Sequence, residues 1–104
     1  MKLLVLVGSL RRESIAKKIA NHAIELVPEH VECQRYDLRT LPLYDFDYDD
    51  SGVEDKPTPG EYTDFRNAIK EADAILFVTS ENNRTIPACL KNAIDIGSKP
   101  NSDV

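Results

Sequence analysis

The stretch Leu3–Ile19, LLVLVGSLRRESIAKKI, combines an apolar run, a polar loop and the start of a helix. Leu3–Val7 is continuously apolar and of strand length, which is typical of a strand buried on both faces of a parallel sheet. The run stops at a glycine, and after a short polar loop Ile15, Ile19 and Ala23 recur at helical spacing. The pattern predicts a strand, a loop and a helix with those three residues on one face.

The loop between this strand and this helix carries groups that bind anions. Its backbone amides and the positive end of the helix dipole converge beyond the carboxyl end of the strand. Ser9 and Ser14 add hydroxyl donors, and Arg11 or Arg12 adds a guanidinium suited to phosphate. We therefore predict a phosphate-bearing cofactor here.

The same residues also suit an ordinary strand-to-helix turn in which Ser14 caps the helix. The loop lacks the three glycines of the dinucleotide fingerprint and the Gly-Lys-Thr/Ser ending of the nucleoside-triphosphate loop. On its own, this loop leaves both interpretations open.

Length, composition and charge restrict the class of protein. The chain has 104 residues, 41% hydrophobic and 30% charged, which predicts one globular domain spanning residues 1–104. A net charge of −5 argues against a nucleic-acid binder, and no apolar run approaches the ~20 residues of a membrane span. Strand residues follow immediately after Met1–Lys2, so we expect no signal peptide. Cys33 and Cys89 are typical of free thiols in a reducing compartment, which predicts a cytoplasmic location and no metal site.

Strands and helices alternate along the whole chain. Helical spacing, apolar runs and breakers predict helices at Ser14–Leu26, Glu61–Ala72 and Ala88–Gly97, and further strands at Val31–Leu38 and Ala74–Val78. The second helix should bury Tyr62, Phe65, Ala68, Ile69 and Ala72, and the third Leu90, Ala93, Ile94 and Gly97. This alternation predicts an α/β domain with a parallel sheet and right-handed crossovers.

An irregular, acidic segment, Thr40–Gly60, separates the second strand from the second helix. Aspartates alternate there with Tyr44, Phe46 and Tyr48, but the spacing is not that of a calcium loop. We expect a solvated connection whose aromatic rings pack against the domain.

A second polar loop, TSENNRTIP, follows the strand Ala74–Val78. Because the carboxyl ends of parallel strands share one edge, this loop should lie beside the first loop, in the crevice where open α/β sheets bind ligands. Its amides and charged groups suit recognition of a polar heterocycle. The alternative is a polar loop that leads into a helix with Pro87 in its first turn.

Three segments resemble the NADPH-dependent FMN reductases, a family with a flavodoxin-like fold that includes related quinone, chromate and azo-dye reductases. They are GSLRRES at Gly8–Ser14, LPLYDFD at Leu41–Asp47 and ADAILFVTSENNRTIPACLKNAID at Ala72–Asp95. The resemblance covers essentially the whole chain, but only about the first half of a typical member. It implies a three-layer sandwich around a parallel sheet.

The resemblance implies the roles of two groups of residues. The FMN phosphate would be held by Ser9, Arg11 and Ser14, beside Ile15 and Ala16. The isoalloxazine ring would lie against the second loop, mainly against its backbone amides, at Ser80, Glu81, Asn82, Asn83, Arg84 and Thr85. The implied reaction passes a hydride from NAD(P)H to FMN and then electrons to a quinone, a flavin or a similar acceptor. It needs no catalytic acid or base, and we nominate none.

The chain departs from the family pattern at four positions. Ser80 stands at the usual proline and Asn82 at the usual tyrosine, which removes an aromatic wall beside the flavin. Ala16 replaces a common asparagine, and Ala88 replaces a glycine. These changes weaken the implied site without abolishing it.

The family fold has five parallel strands in the order 2-1-3-4-5, of which this chain supplies the first three. The strand Ala74–Val78 should then form a bare apolar edge, which soluble proteins normally cover. We expect a fragment of a longer reductase, or a short chain that forms a homo-oligomer such as a dimer or tetramer.

Other functions remain open at this point. A non-catalytic FMN-binding or electron-carrier module and an interaction subunit without flavin both fit the same fold. A receiver domain fits less well, because Gly8 and Ser9 stand where it would have an acidic pair.

Overall fold

The computed structural model describes residues 1–99, so residues 100–104 of the predicted domain lie outside the described part. Three strands and three helices alternate along it: β1 Lys2–Gly8, α1 Ile15–Glu25, β2 Glu32–Tyr36, α2 Gly60–Glu71, β3 Ala74–Thr79 and α3 Ala88–Gly97. Two short 3-10 turns, Leu38–Thr40 and Phe46–Asp49, lie in the connection between β2 and α2.

The three strands form one parallel sheet in the order β2-β1-β3. Leu3 of β1 pairs with Cys33 on one side and with Ala74 on the other. One face of the sheet packs against α1, and the other packs against α2 and α3. This arrangement confirms the predicted three-layer α/β sandwich of flavodoxin-like topology.

The central strand β1 is buried on both faces, as its unbroken apolar run predicts. Leu4 and Leu6 lie in the larger core with α2 and α3, whereas Val5 and Val7 lie in the smaller core with α1. All four side chains are at most 8% exposed. The flanking strands are less covered, and Phe77 of the edge strand β3 is 48% exposed.

The predicted orientation of α1 is wrong. Ile15 and Ile19 are 75% and 55% exposed, whereas Ala16 and Ala20 are buried against the sheet. The helix carries two neighbouring apolar stripes, and the stripe with the smaller side chains packs against β1. Ser14 caps the helix as expected, its hydroxyl oxygen accepting the amide of Lys17 at 3.2 Å.

The second strand is shorter than the predicted Val31–Leu38. It ends at Tyr36 because the Asp37 side chain accepts the amide of Arg39 at 3.0 Å and caps a 3-10 turn. Leu38, predicted as the end of the strand, points into the core from this turn and is 5% exposed.

The acidic connection is mostly exposed, as predicted, and it is held in place by specific bonds. Tyr44 and Tyr48 pack against the core, as expected, but Phe46 is 58% exposed. Two of the aspartates pair with Lys56, and Asp49 pairs with Arg66 of α2. Among residues 1–99, no group of His, Cys, Asp and Glu side chains is placed to hold a metal ion.

The predicted buried face of α2 is confirmed, and that of α3 is shifted. Ile96, which the spacing did not select, is fully buried, whereas Ile94 is 39% exposed. At Gly97 the two helices meet closely, since an added Cβ would lie 2.6 Å from Cδ1 of Ile69.

None of the helices within the described part of the chain is both long and apolar enough to cross a bilayer.

Candidate functional site

A cavity of about 550 Å³ opens at the carboxyl edge of the sheet, between the loop after β1 and the loop after β3. The first loop contributes Ser9, Arg11 and Ser14, and the start of α1 contributes Ile15 and Ala16. The second loop contributes Ser80 and Asn82. The structure therefore brings seven of the eleven predicted site residues together around one space.

The other four predicted residues lie in the second loop outside the lining of this cavity. They are Glu81, Asn83, Arg84 and Thr85, and all four are exposed. The side chains that line the cavity are thus fewer than the resemblance implies for this loop.

A tight two-residue turn shapes the second loop. The amides and carbonyls of Asn82 and Thr85 bond each other at 2.8 and 3.0 Å. Between them, Asn83 and Arg84 have φ angles of 51° and 66°, the left-handed conformation that a type I′ turn requires at both central positions. Neither residue is glycine, so this backbone shape is held at a conformational cost.

The two serine hydroxyls of the first loop are placed to donate to an anion. Ser14 Oγ accepts the amide of Lys17 at 3.2 Å, and Ser9 Oγ accepts the amide of Arg11 at 3.3 Å. Because each oxygen is used as an acceptor, each hydroxyl keeps its proton for a further partner. The N-terminal amides of α1 point toward the same place.

Gly8 lets the two loops start from one closely packed junction. A Cβ at Gly8 would lie 2.5 Å from Oγ1 of Thr79 and 3.2 Å from Cδ2 of Leu90. The Ser80 hydroxyl also makes a long hydrogen bond, 3.5 Å, to the carbonyl of Gly8.

The cavity has lining residues that the sequence analysis did not nominate. Pro87, Ala88 and Cys89 of the α3 entrance lie in its wall, as do Gly8 and Leu10. Burial raises the pKa of the Cys89 thiol, so the thiol form is favoured at neutral pH. The sequence signal for Pro87, Ala88 and Cys89 was their position at the start of the helix that follows the second loop.

The segment Leu41–Asp47 is not part of this cavity. Asn92 of α3 binds it from one side, accepting the amide of Tyr44 at 2.7 Å and donating to the carbonyl of Pro42 at 3.2 Å. The Tyr62 hydroxyl binds it from α2, donating to the carbonyl of Leu43 at 2.8 Å. Two of the three segments that carry the resemblance are thus joined by structural hydrogen bonds.

Comparison with known proteins identifies relatives of one kind. The profile of the family described as NADPH-dependent FMN reductase matches residues 1–103. A quinone reductase of Pseudomonas putida is 46% identical over 96 residues, which cover 92% of this chain and 49% of that protein. A 2-hydroxy-1,4-benzoquinone reductase of a Burkholderia species is 40% identical over 100 residues, 96% of this chain and 51% of that protein.

A solved structure also matches the fold. The flavoenzyme NAD(P)H:(acceptor) oxidoreductase FerB from Paracoccus denitrificans superposes with a TM-score of 0.81 at 31% identity, over 95% of this chain and 51% of that one. The chain therefore spans about half the length of the relatives that it matches.

Proposed function

The chain belongs to the NADPH-dependent FMN reductase family, and from this membership we propose that it binds FMN and serves electron transfer from NAD(P)H to a quinone, a flavin or a similar acceptor. The observation that carries the proposal is the cavity of about 550 Å³ between the two loops. Its volume falls within the ~300–1,000 Å³ typical of cofactor sites.

One end of the cavity has the donors that a phosphate needs. We assign the FMN phosphate to the hydroxyls of Ser9 and Ser14 and to the guanidinium of Arg11, all of which line the cavity. Ile15 and Ala16 open α1, where backbone amides lack partners within the helix and favour an anion.

The other end of the cavity is assigned to the flavin ring. Ser80 and Asn82 line it, and the turn that follows presents backbone amides at the same edge. We assign the ring to this loop, at Ser80, Glu81, Asn82, Asn83, Arg84 and Thr85. The wall formed by Pro87, Ala88 and Cys89 limits the space beside it.

FMN, when bound, supplies the redox chemistry by accepting a hydride from NAD(P)H and passing electrons to the acceptor. The residues of this chain bind and orient it through hydrogen bonds and through the dipole of α1. No side chain around the cavity is assigned the role of a catalytic acid or base.

We further propose that the chain works as a homo-oligomer, a dimer or tetramer, in the cytoplasm. Within residues 1–99, the outer edge of β3 pairs with no strand, and Phe77 on it is 48% exposed. This edge supports association, because soluble proteins usually cover such an edge. The support for a reducing compartment is that Cys33 and Cys89 are free thiols. Light scattering of the purified chain tests the first point, and imaging of a fluorescent fusion tests the second.

An FMN titration followed by anaerobic addition of NADPH tests the function. Saturable binding, followed by bleaching of the flavin absorbance, is the expected result. Binding without bleaching would favour an FMN-binding carrier module instead. Absence of binding at high micromolar FMN would overturn the assigned site.

Neighbouring arginines provide a matched control for the phosphate assignment. Arg11 lines the cavity and Arg12 does not. Arg11→Gln should weaken FMN binding about tenfold or more, since a charged hydrogen bond contributes ~1.5–3 kcal/mol. Arg12→Gln should change it little, and both variants should bind riboflavin, which has no phosphate, as the unmodified chain does.

A further inference from the structure

A second, smaller cavity of about 270 Å³ opens at the carboxyl ends of β1 and β2, next to α1. Three cationic side chains line it: Lys17 of α1, Arg35 of β2 and Arg39 of the following 3-10 turn. Ser9 lines both this cavity and the larger one. The two cavities are therefore adjacent and share this one lining residue.

The charge of this cavity is opposite to that of the whole chain. The chain has a net charge of −5, whereas the three cations here face one carboxylate, that of Asp37. That carboxylate is already engaged, because Arg39 binds it with its backbone amide and with two guanidinium nitrogens, at 3.0–3.1 Å. Asp37 thus orients Arg39 and neutralises only part of the positive charge.

Lys17 and Arg35 keep donors for a ligand. Within residues 1–99, neither side chain forms an ion pair with a carboxylate. Arg35 donates one hydrogen bond to the side-chain oxygen of Asn21, which holds its guanidinium against α1. A guanidinium has five N–H donors, so this bond leaves most of them unused.

The size and position of the cavity restrict what could occupy it. Its volume lies below the ~300–1,000 Å³ of sites that enclose a whole small molecule. It fits a phosphate with the adjoining sugar better than a complete nucleotide. Since it shares Ser9 with the larger cavity, a dinucleotide could place one part in each.

We propose that Lys17, Arg35 and Arg39 form a second phosphate-binding site, which takes a phosphate group carried by the ribose of an adenosine nucleotide. Two sources offer this chemistry: the 2′-phosphate of NADPH and the pyrophosphate of FAD. The inference rests on the proposed function only in that NADPH is the hydride donor of that reaction and FAD carries the same flavin ring as FMN. If the 2′-phosphate is the source, this site sets a preference for NADPH over NADH.

Calorimetric titration with 2′,5′-ADP and 5′-AMP, with and without FMN, tests this site on the full chain. The extra 2′-phosphate should tighten binding about tenfold, which corresponds to ~1.4 kcal/mol. Raising the salt concentration should reduce this difference, because the contact is between exposed charges. A chain that binds both nucleotides equally and binds FAD no better than FMN would overturn the inference.

Adjacent lysines on α1 provide a matched pair of variants. Lys17 lines the cavity, whereas Lys18 is exposed and does not. Lys17→Met should remove most of the preference for 2′,5′-ADP, and Lys18→Met should leave it within about twofold. An equal effect of the two substitutions would show non-specific attraction and would contradict the site. Arg35→Gln, checked for an unchanged melting temperature, should act like Lys17→Met.

The two sources give different results. If FAD binds more tightly than FMN and Lys17→Met abolishes that difference, the ligand is the pyrophosphate. If Lys17→Met weakens the binding of 2′,5′-ADP but not that of FAD, the ligand is the 2′-phosphate of the pyridine nucleotide. FMN binding to the larger cavity is measured separately, by flavin fluorescence. A chain that binds 2′,5′-ADP but not FMN would count against the proposed function alone.

Discussion

Arg66 and Asp49 form a two-point ion pair, in which each terminal guanidinium nitrogen lies 2.8 Å from a different carboxylate oxygen. Their side chains are only 4% and 17% exposed. The Nε atom of Arg66 also donates to the carbonyl of Ile96 at 2.9 Å. One side chain of α2 thus joins the acidic connection to the end of α3.

Asp49→Asn should lower the free energy of unfolding by about 3 kcal/mol, because it leaves the buried guanidinium without a charged partner. Urea unfolding measures this loss. Asp95→Asn is the control, since it breaks the exposed Lys91–Asp95 pair of α3 and should cost less than ~0.5 kcal/mol. Equal losses in the two variants would contradict the structural role of the buried pair.

Gly8→Ala should destabilise the protein by about 1–3 kcal/mol through overpacking. The added methyl group would lie 2.5 Å from Oγ1 of Thr79, at the junction of the two loops, so FMN affinity should fall as well. At Gly60, nothing lies within 4 Å of an added Cβ. Gly60→Ala should therefore leave FMN affinity unchanged and leave stability unchanged or raise it. If Gly8→Ala lowered neither stability nor FMN affinity, the junction would not be tightly packed.

Arg84→Gly should stabilise the chain by about 1 kcal/mol, because glycine adopts the left-handed backbone without the cost that a side chain adds. The change is measured as an increase in the urea midpoint. Arg84→Ala removes the same side chain but keeps the strain at φ 66°, so it should give no such gain. A gain of equal size in both variants would point to the charge instead of the backbone.

Bound FMN should protect Cys89 from alkylation. Cys89 lines the larger cavity, and burial raises the pKa of its thiol, so its reaction with iodoacetamide should be slow at neutral pH and accelerate in alkaline solution. Cys33 on β2 lies outside that cavity and acts as an internal control. Mass spectrometry of each cysteine peptide, with and without FMN, measures the rates. Equal protection of both cysteines would argue against FMN in this cavity.

Acidification should destabilise the fold partly through Asp45. The backbone amide of Asp47 and the ammonium of Lys56 bind its carboxylate and lower its pKa. A lowered pKa in the folded state contributes stability above the unfolded pKa of ~3.9, and this contribution is lost as the pH falls through the folded value.

Asp45→Asn keeps an oxygen that can cap the 3-10 turn but cannot titrate. Stability of this variant should therefore fall less steeply below pH 4 than that of the unmodified chain, as followed by urea midpoints. High salt should reduce the difference, because the pair is exposed. Parallel pH profiles would contradict this role of Asp45.

The fold was predictable because the apolar patterns of β1 and α2 each fit only one type of secondary structure and one buried surface. The error at α1 has a physical cause: Ile15 and Ile19 are more hydrophobic than Ala16 and Ala20, yet the alanines contact the sheet. Hydrophobic spacing does not tell which of two adjacent stripes approaches the strands. The pairing of Arg66 with Asp49 was also beyond sequence reasoning, since it depends on how the acidic connection folds back onto α2.

The site was predictable as far as topology determines it. Parallel strands place the loops after β1 and β3 at one edge of the sheet, so the positions of Ser9 and Ser14 at the cavity could be predicted. Which residues of the second loop line the cavity depends on the turn between Asn82 and Thr85. Asn83 is a common residue in such a turn, but Arg84 stands where glycine is usual, so the sequence pattern of the turn is incomplete.

That turn has a consequence for the kinetics of binding. Asn82 and Thr85 close it with two backbone hydrogen bonds of their own, so its shape does not depend on a ligand. A ligand that binds against this turn does not have to order a flexible loop, because the loop lost its conformational entropy when the chain folded. Association should accordingly follow single-step kinetics, limited by encounter and orientation, without a slow closing phase.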